Sequence, residues 1–163
     1  MHLPTLFSNF HLEKISLNVM GVGLALDVDF SDDDQDAAWE LYIEMLTRIV
    51  TQPLPSEDGD EQTALDSVYS LFPTTREILR RRGRGTIQFS KVAIPVLNQV
   101  VRPFTAEWHR KSLANAFSDP DQRVTFRDSL AELQNDLRNY NRLLANIAGV
   151  EDLTDLETDG GSN

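Results

Sequence analysis

Apolar and polar residues alternate along residues 12–30, and a helical spacing then replaces that alternation up to about residue 150. Ile15, Leu17 and Val19 share one parity; Leu24, Leu26, Val28 and Phe30 share the other. Met20-Gly21-Val22-Gly23 lies where the phase changes, and glycine supplies the positive φ of a tight turn. The pattern predicts an antiparallel β-hairpin over 12–30 with one buried face. Two strands alone are marginal in water, so the hairpin is expected to pack on the rest of the chain or pair with another sheet.

Four helices are predicted after it. Ser31 and the run Asp32–Asp34 form a capping signal, and a first helix over about Asp34–Val50 carries Trp39, Tyr42, Ile43, Leu46 and Ile49 on one stripe. A Pro- and Gly-containing loop, Pro53 to Gly59, separates it from a second helix over about Asp60–Arg82. That helix has Leu65, Val68, Tyr69, Phe72 and Leu79 facing inward, a kink at Pro73, and an end at Gly83-Arg84-Gly85. A third helical region, about Ser90–Phe117, has Ile94, Leu97, Val101, Phe104 and Trp108 on its stripe, with Pro95 and Pro103 interrupting the backbone ladder.

The fourth helix opens with Asp119 as cap and Pro120 at the first helical position. Phe126, Leu130, Leu133, Leu137, Tyr140, Leu144 and Ile147 keep one face, and Gly149-Val150 fits a left-handed C-terminal cap. The fold expected is mainly α: one four-helix bundle-like domain over 1–150 with an N-terminal β-hairpin, followed by a disordered acidic tail over 154–163.

Charge adds a second pattern. Residues 1–72 carry 14 acidic and 2 basic side chains, residues 73–111 carry 2 acidic and 9 basic, and residues 112–163 carry 10 acidic and 4 basic, within a total of −11. A basic middle segment in an acidic protein is expected to fold against acidic neighbours, to engage an acidic partner, or both. The overall charge repels bulk nucleic acid and anionic membranes. No stretch approaches the roughly 18 apolar residues of a membrane span, and Met1–Phe10 lacks the pattern of a signal peptide. There is no cysteine, which removes disulfides and thiolate chemistry and suits a cytoplasmic location.

Candidate chemistry is sparse. Asp27, Asp29, Asp32, Asp33, Asp34 and Asp36 do not fit a calcium loop: with Asp29 first and Glu40 twelfth, Asp34 falls where glycine is needed. His2, His11 and His109 share no ligand spacing, and no nucleophile elbow or phosphate loop is present. No catalytic residue, metal ligand or cofactor is therefore assigned.

The sharpest local feature is Arg80, Arg81, Arg82 and Arg84. Three readings compete for it: interaction with the dipole at a helix C-terminus, a contact with acidic protein surface in this chain or a partner, and contact with nucleic acid, which the negative surroundings disfavour. Arg76 and Arg102 sit beside apolar positions, and at least one of them is expected to pair with an acid of the first helix such as Glu40 or Glu44.

Thr75-Arg76-Glu77-Ile78-Leu79, Val96-Leu97-Asn98, Arg102-Pro103-Phe104 and Trp108-His109 resemble the TREIL, VLN, RPF and WH stretches of an uncharacterised bacterial helical family. The likeness runs over about residues 36–150 and includes Trp39-Glu40-Leu41-Tyr42 and Thr47-Arg48-Ile49. It implies a link to bacterial conflict or defence loci. It also marks Arg76, Arg102, Trp108 and His109 as a functional or structural core, without implying a catalytic residue. Together these readings predict a non-catalytic interaction or regulatory subunit of a bacterial cytosolic complex, with a protein partner or a second copy bound through Arg80, Arg81, Arg82 and Arg84. The alternative is an enzyme or nucleic-acid-contacting effector that uses Arg80–Arg84 and His109.

Overall fold

The computed structural model describes residues 29–156, and these are mainly α-helical. α1 spans Asp32–Leu46, α2 Glu61–Tyr69, α3 Leu71–Arg82, α4 Ile87–Pro95, α5 Arg102–Leu113 and α6 Pro120–Ala148. Short 3₁₀ turns cover Gly83–Thr86 and Ala116–Ser118, and a π-helical turn covers Val96–Val101. The expected hairpin lies outside the described residues except for Asp29 and Phe30, and no strand occurs among the described residues. No described helix is long and apolar enough to cross a membrane.

Four expected helices become six, so a plain four-helix bundle does not describe the architecture. The second expected helix divides at Ser70. Pro73 has no N–H to offer the carbonyl of Tyr69, and proline is tolerated only in a first turn, so a new helix starts there. The third is interrupted by the π turn. Pro103 likewise removes a donor to the carbonyl four residues back, and its ring crowds that carbonyl, so the preceding turn widens. α1 ends at Leu46 rather than Val50. The β-branched run Thr47, Ile49, Val50, Thr51 is a poor helix former, and Gln134 of α6 donates to the freed carbonyls of Ile49 (2.6 Å) and Gln52 (2.7 Å).

α6 follows the sequence reading closely. All seven stripe residues are buried, Asp119 caps its start, and Gly149 (φ 70°) ends it, with the N–H of Val150 donating to the Ala145 carbonyl at 3.1 Å. α1 packs chiefly on α6, and the small residues Ala37 and Ala38 of α1 are fully buried. The core closes around Leu41, Tyr42, Met45, Leu65, Phe89, Trp108 and Phe126.

Two polar clamps secure the loops. Arg127 donates to Glu61 (3.1 Å) and to the carbonyls of Pro55 (2.9 Å) and Gly59 (2.8 Å), which holds the loop ahead of α2. Thr154 and Asp155, where the disordered acidic tail was expected to open, are tied to α6. Thr154 is buried and accepts from Asn141 at 3.3 Å, Arg142 pairs with Asp155 at 2.8 Å, and the Leu153 N–H donates to Tyr42 Oη at 2.6 Å. Residues 157–163 lie outside the described part.

Candidate partner-binding face

The acidic run at the start of α1 proves to be capping chemistry. Ser31 caps α1, and Asp34 completes the capping box by accepting from the Ser31 N–H at 2.9 Å. Asp34 is fully buried, and its other oxygen accepts the Phe89 N–H at 2.8 Å. Phe89 is the third residue of α4, whose own N-cap Thr86 makes no side-chain cap bond, so α1 caps α4 from outside. Ser31 Oγ also lies 2.8 Å from the Gly85 carbonyl, and a Cβ at Gly85 would sit 2.0 Å from an Asp33 oxygen. The basic turn 83–86 is thus pinned to the N-terminus of α1.

Within that frame the arginines divide into two sets. Arg81 and Arg82 both pair with Glu40, Arg82 through Nε at 2.9 Å, and Arg82 reaches Asp36 at 3.2 Å. The hydrogen bonds it donates to Glu40 hold the Arg82 guanidinium above its ordinary pKa. These two members of the expected partner-binding set are therefore engaged inside the chain. The second set, Arg80 and Arg84, is exposed and makes no ion pair among the described residues.

Arg76 and Arg102 do not meet Glu40 or Glu44, contrary to the expectation for that pair. Glu40 is taken by α3's last turn, and Glu44 by Arg48 one turn along α1. Arg102 instead lies over the Phe72 ring, 4.6 Å from its centroid, and donates to Asn98 Oδ1 from Nε (3.2 Å) and Nη2 (3.1 Å). The π turn supplies Asn98, and α5 begins at Arg102. Arg76 is exposed and stands four residues after Phe72, on the same side of α3.

Tyr69 extends this surface. Its ring lies 5.6 Å from Phe72 and 5.1 Å from His109, edge-on to the imidazole, and it is nearly half exposed. His109 makes no side-chain hydrogen bond among the described residues, and no described contact links it to Arg80–Arg84. Trp108 is fully buried, stacked on Phe117 at 6.1 Å and meeting Phe126 edge-on at 5.1 Å, with Lys111 over its ring at 4.4 Å. It is a core residue rather than a surface one.

The face that results joins Tyr69, Phe72, Arg76, Arg102 and His109, with Arg80 and Arg84 further along α3 and its turn. Sequence reasoning placed Tyr69 and Phe72 on an inward stripe and gave Asn98 no role at a site; Phe72 is buried, but Tyr69 is nearly half exposed. The Asn98–Arg102 spacing of four was a legible signal; the approach of Phe72 from another helix was not. Compared with protein-family models, curated proteins and solved structures, the chain matches none of them.

Proposed function

We propose that the chain is a non-catalytic interaction or regulatory subunit that docks an acidic protein surface on the face carrying Arg76, Arg80, Arg84 and Arg102. The observation that carries this reading is the division of the arginines. Of the six arginines Arg76, Arg80, Arg81, Arg82, Arg84 and Arg102, two are neutralised against α1, and the other four are exposed and make no ion pair among the described residues. Helix-dipole interaction accounts for the last turn of α3, but not for Arg76, a turn and a half earlier, or for Arg102 on another helix. Arginine suits carboxylate partners because its planar fork donates two parallel hydrogen bonds. Tyr69, which like Arg102 packs on the Phe72 ring, adds the kind of aromatic anchor enriched at protein interfaces. The bacterial cytosolic setting and the conflict-system role rest on the cysteine-free composition and on the family resemblance.

The test is a charge reversal that spares the intrachain pairs. Arg80→Glu with Arg84→Glu is expected to keep the wild-type denaturant midpoint, since both side chains are exposed. It should lose the proteins co-purified with the tagged chain at native expression. Arg81→Glu with Arg82→Glu is the contrast: it sets new carboxylates against Glu40 and Asp36 and should lower the midpoint. Unchanged co-purification by the first variant would refute the proposal. Salt-sensitive binding of the wild type to mixed-sequence DNA or RNA, abolished by the same variant, would replace it with a nucleic-acid role.

A further inference from the structure

A ridge of acids on α6 has the same spacing as the open arginines. Asp128, Glu132 and Asp136 stand four residues apart on one side of that helix, about 6 Å from each to the next at ~1.5 Å per residue. Asp128 and Glu132 are exposed, Asp136 is half-buried, and none of the three makes an ion pair among the described residues. Like charges at this spacing destabilise a helix. Burial and the Glu132 charge together push the Asp136 carboxyl above the usual carboxylate range. The ridge thus carries a cost within the single chain that a facing row of cations would remove.

The basic ridge repeats in the same way. Arg76 and Arg80 are four residues apart on α3, and Arg84 follows four later in the turn Gly83–Thr86. Both ridges begin at an exposed apolar side chain. On the basic one it is Tyr69, packed on the Phe72 ring; on the acidic one it is Val124, 59% exposed and four residues before Asp128. No ion pair joins the two ridges within the described chain, and α1 packs against both helices.

We infer, on the reading of the arginine face as a docking surface, that the acidic surface it receives is α6 of a second copy of this chain. The two helices dock parallel, with Asp128 opposite Arg76, Glu132 opposite Arg80 and Asp136 opposite Arg84. In that register Val124 falls against Tyr69, and Arg102, over the Phe72 ring, flanks the Asp128 end. Charges then match in sign, number and spacing, and the apolar ends meet each other. The net charge of −11 opposes the approach of two copies. At about 0.1 M salt, however, exposed charges more than ~10 Å apart are largely screened, so apposed side chains govern the contact. Each copy carries both ridges, so the pairing either closes on a two-fold axis or continues head to tail.

Sedimentation velocity of the full chain, from micromolar to millimolar concentration at about 0.1 M salt, should show reversible self-association that is lost at about 1 M, where the screening length is ~3 Å. Arg76→Glu with Arg80→Glu should abolish it, and so should Asp128→Arg with Glu132→Arg. All four positions are exposed, so the helical circular dichroism should stay. Mixed in equal amounts, the two variants should associate again, severalfold more tightly than either alone, because each row then meets its opposite. If a double variant unfolds, Arg80→Gln and Glu132→Gln, which add no new charge, should each weaken the association. A wild type that stays monomeric overturns the inference; if Arg80→Glu with Arg84→Glu still loses co-purified proteins, the docking reading stands with a different acidic partner. Self-association that resists the α3 variants or the α6 variants, or a mixture of folded variants that stays monomeric, overturns it as well. In the cysteine-free chain, Tyr69→Cys in one copy and Val124→Cys in another should form a mixed disulfide, which needs Cα atoms within about 7 Å. Its absence, or a disulfide of Val124→Cys with Arg84→Cys in its place, refutes the parallel register.

Discussion

Replacing Asp34 tests the joint on which the basic turn depends. Its carboxylate accepts from the Ser31 N–H at 2.9 Å and from the buried Phe89 N–H at 2.8 Å. Hydrogen bonds to an ionised group contribute about 1.5–3 kcal/mol each, and a buried donor left without an acceptor costs about 1–3 kcal/mol. Asp34→Ala removes both bonds, orphans the Phe89 N–H and breaks half of the capping box. We expect a loss of about 3–5 kcal/mol, a large share of the ~5–15 kcal/mol that holds a domain together. Asp34→Asn keeps one acceptor oxygen but turns an amide NH₂ toward the other donor, and should cost about 2 kcal/mol. Asp33→Ala, exposed and adjacent, should stay within about 0.5 kcal/mol of wild type. Urea unfolding followed by circular dichroism measures all three, with equal slopes confirming that one transition is compared. If Asp34→Ala and Asp33→Ala share a midpoint, the buried carboxylate does not join α1 to α4, and the account of how the basic turn is positioned fails.

Two further predictions concern the core. Leu137 is fully buried at the centre of α6, so Leu137→Ala should cost about 2–5 kcal/mol in the same urea assay, and a wild-type midpoint would show that the site is not packed as described. Burial pushes the Tyr140 phenol well above its ordinary pKa, so the native state holds that proton more tightly than the unfolded chain, and stability is retained at neutral pH and falls as pH rises above about 10. Tyr140 Oη has no hydrogen-bond partner among the described residues, so Tyr140→Phe should raise the neutral midpoint slightly and leave only the shallower alkaline decline due to Tyr42, which burial also raises; an unchanged alkaline slope would refute this.

The sequence by itself determined the elements whose signals are local. α6 could be read from end to end because its cap, its first-turn proline, its apolar stripe and its terminal glycine all lie within one helix and agree. The capping signal at Ser31–Asp34 was legible for the same reason, its partners being three residues apart; the Glu44–Arg48 pair has equally local spacing, yet Glu44 was offered to Arg76 or Arg102 instead. The prolines at 73 and 103 signalled interruptions, but not their form. Whether a missing donor gives a new helix or a π turn depends on what the neighbouring helices bury.

Only the tertiary structure decided which charges remain open. Arg80, Arg81, Arg82 and Arg84 look equivalent in the chain, yet two face α1 across forty residues of sequence and two do not. The burial of Asp34 against α4, the placement of Arg102 over Phe72 and the exposure of Trp39 are likewise set by how separate helices meet. Periodicity reports one face of one helix; it contains no term for the helix that packs against it.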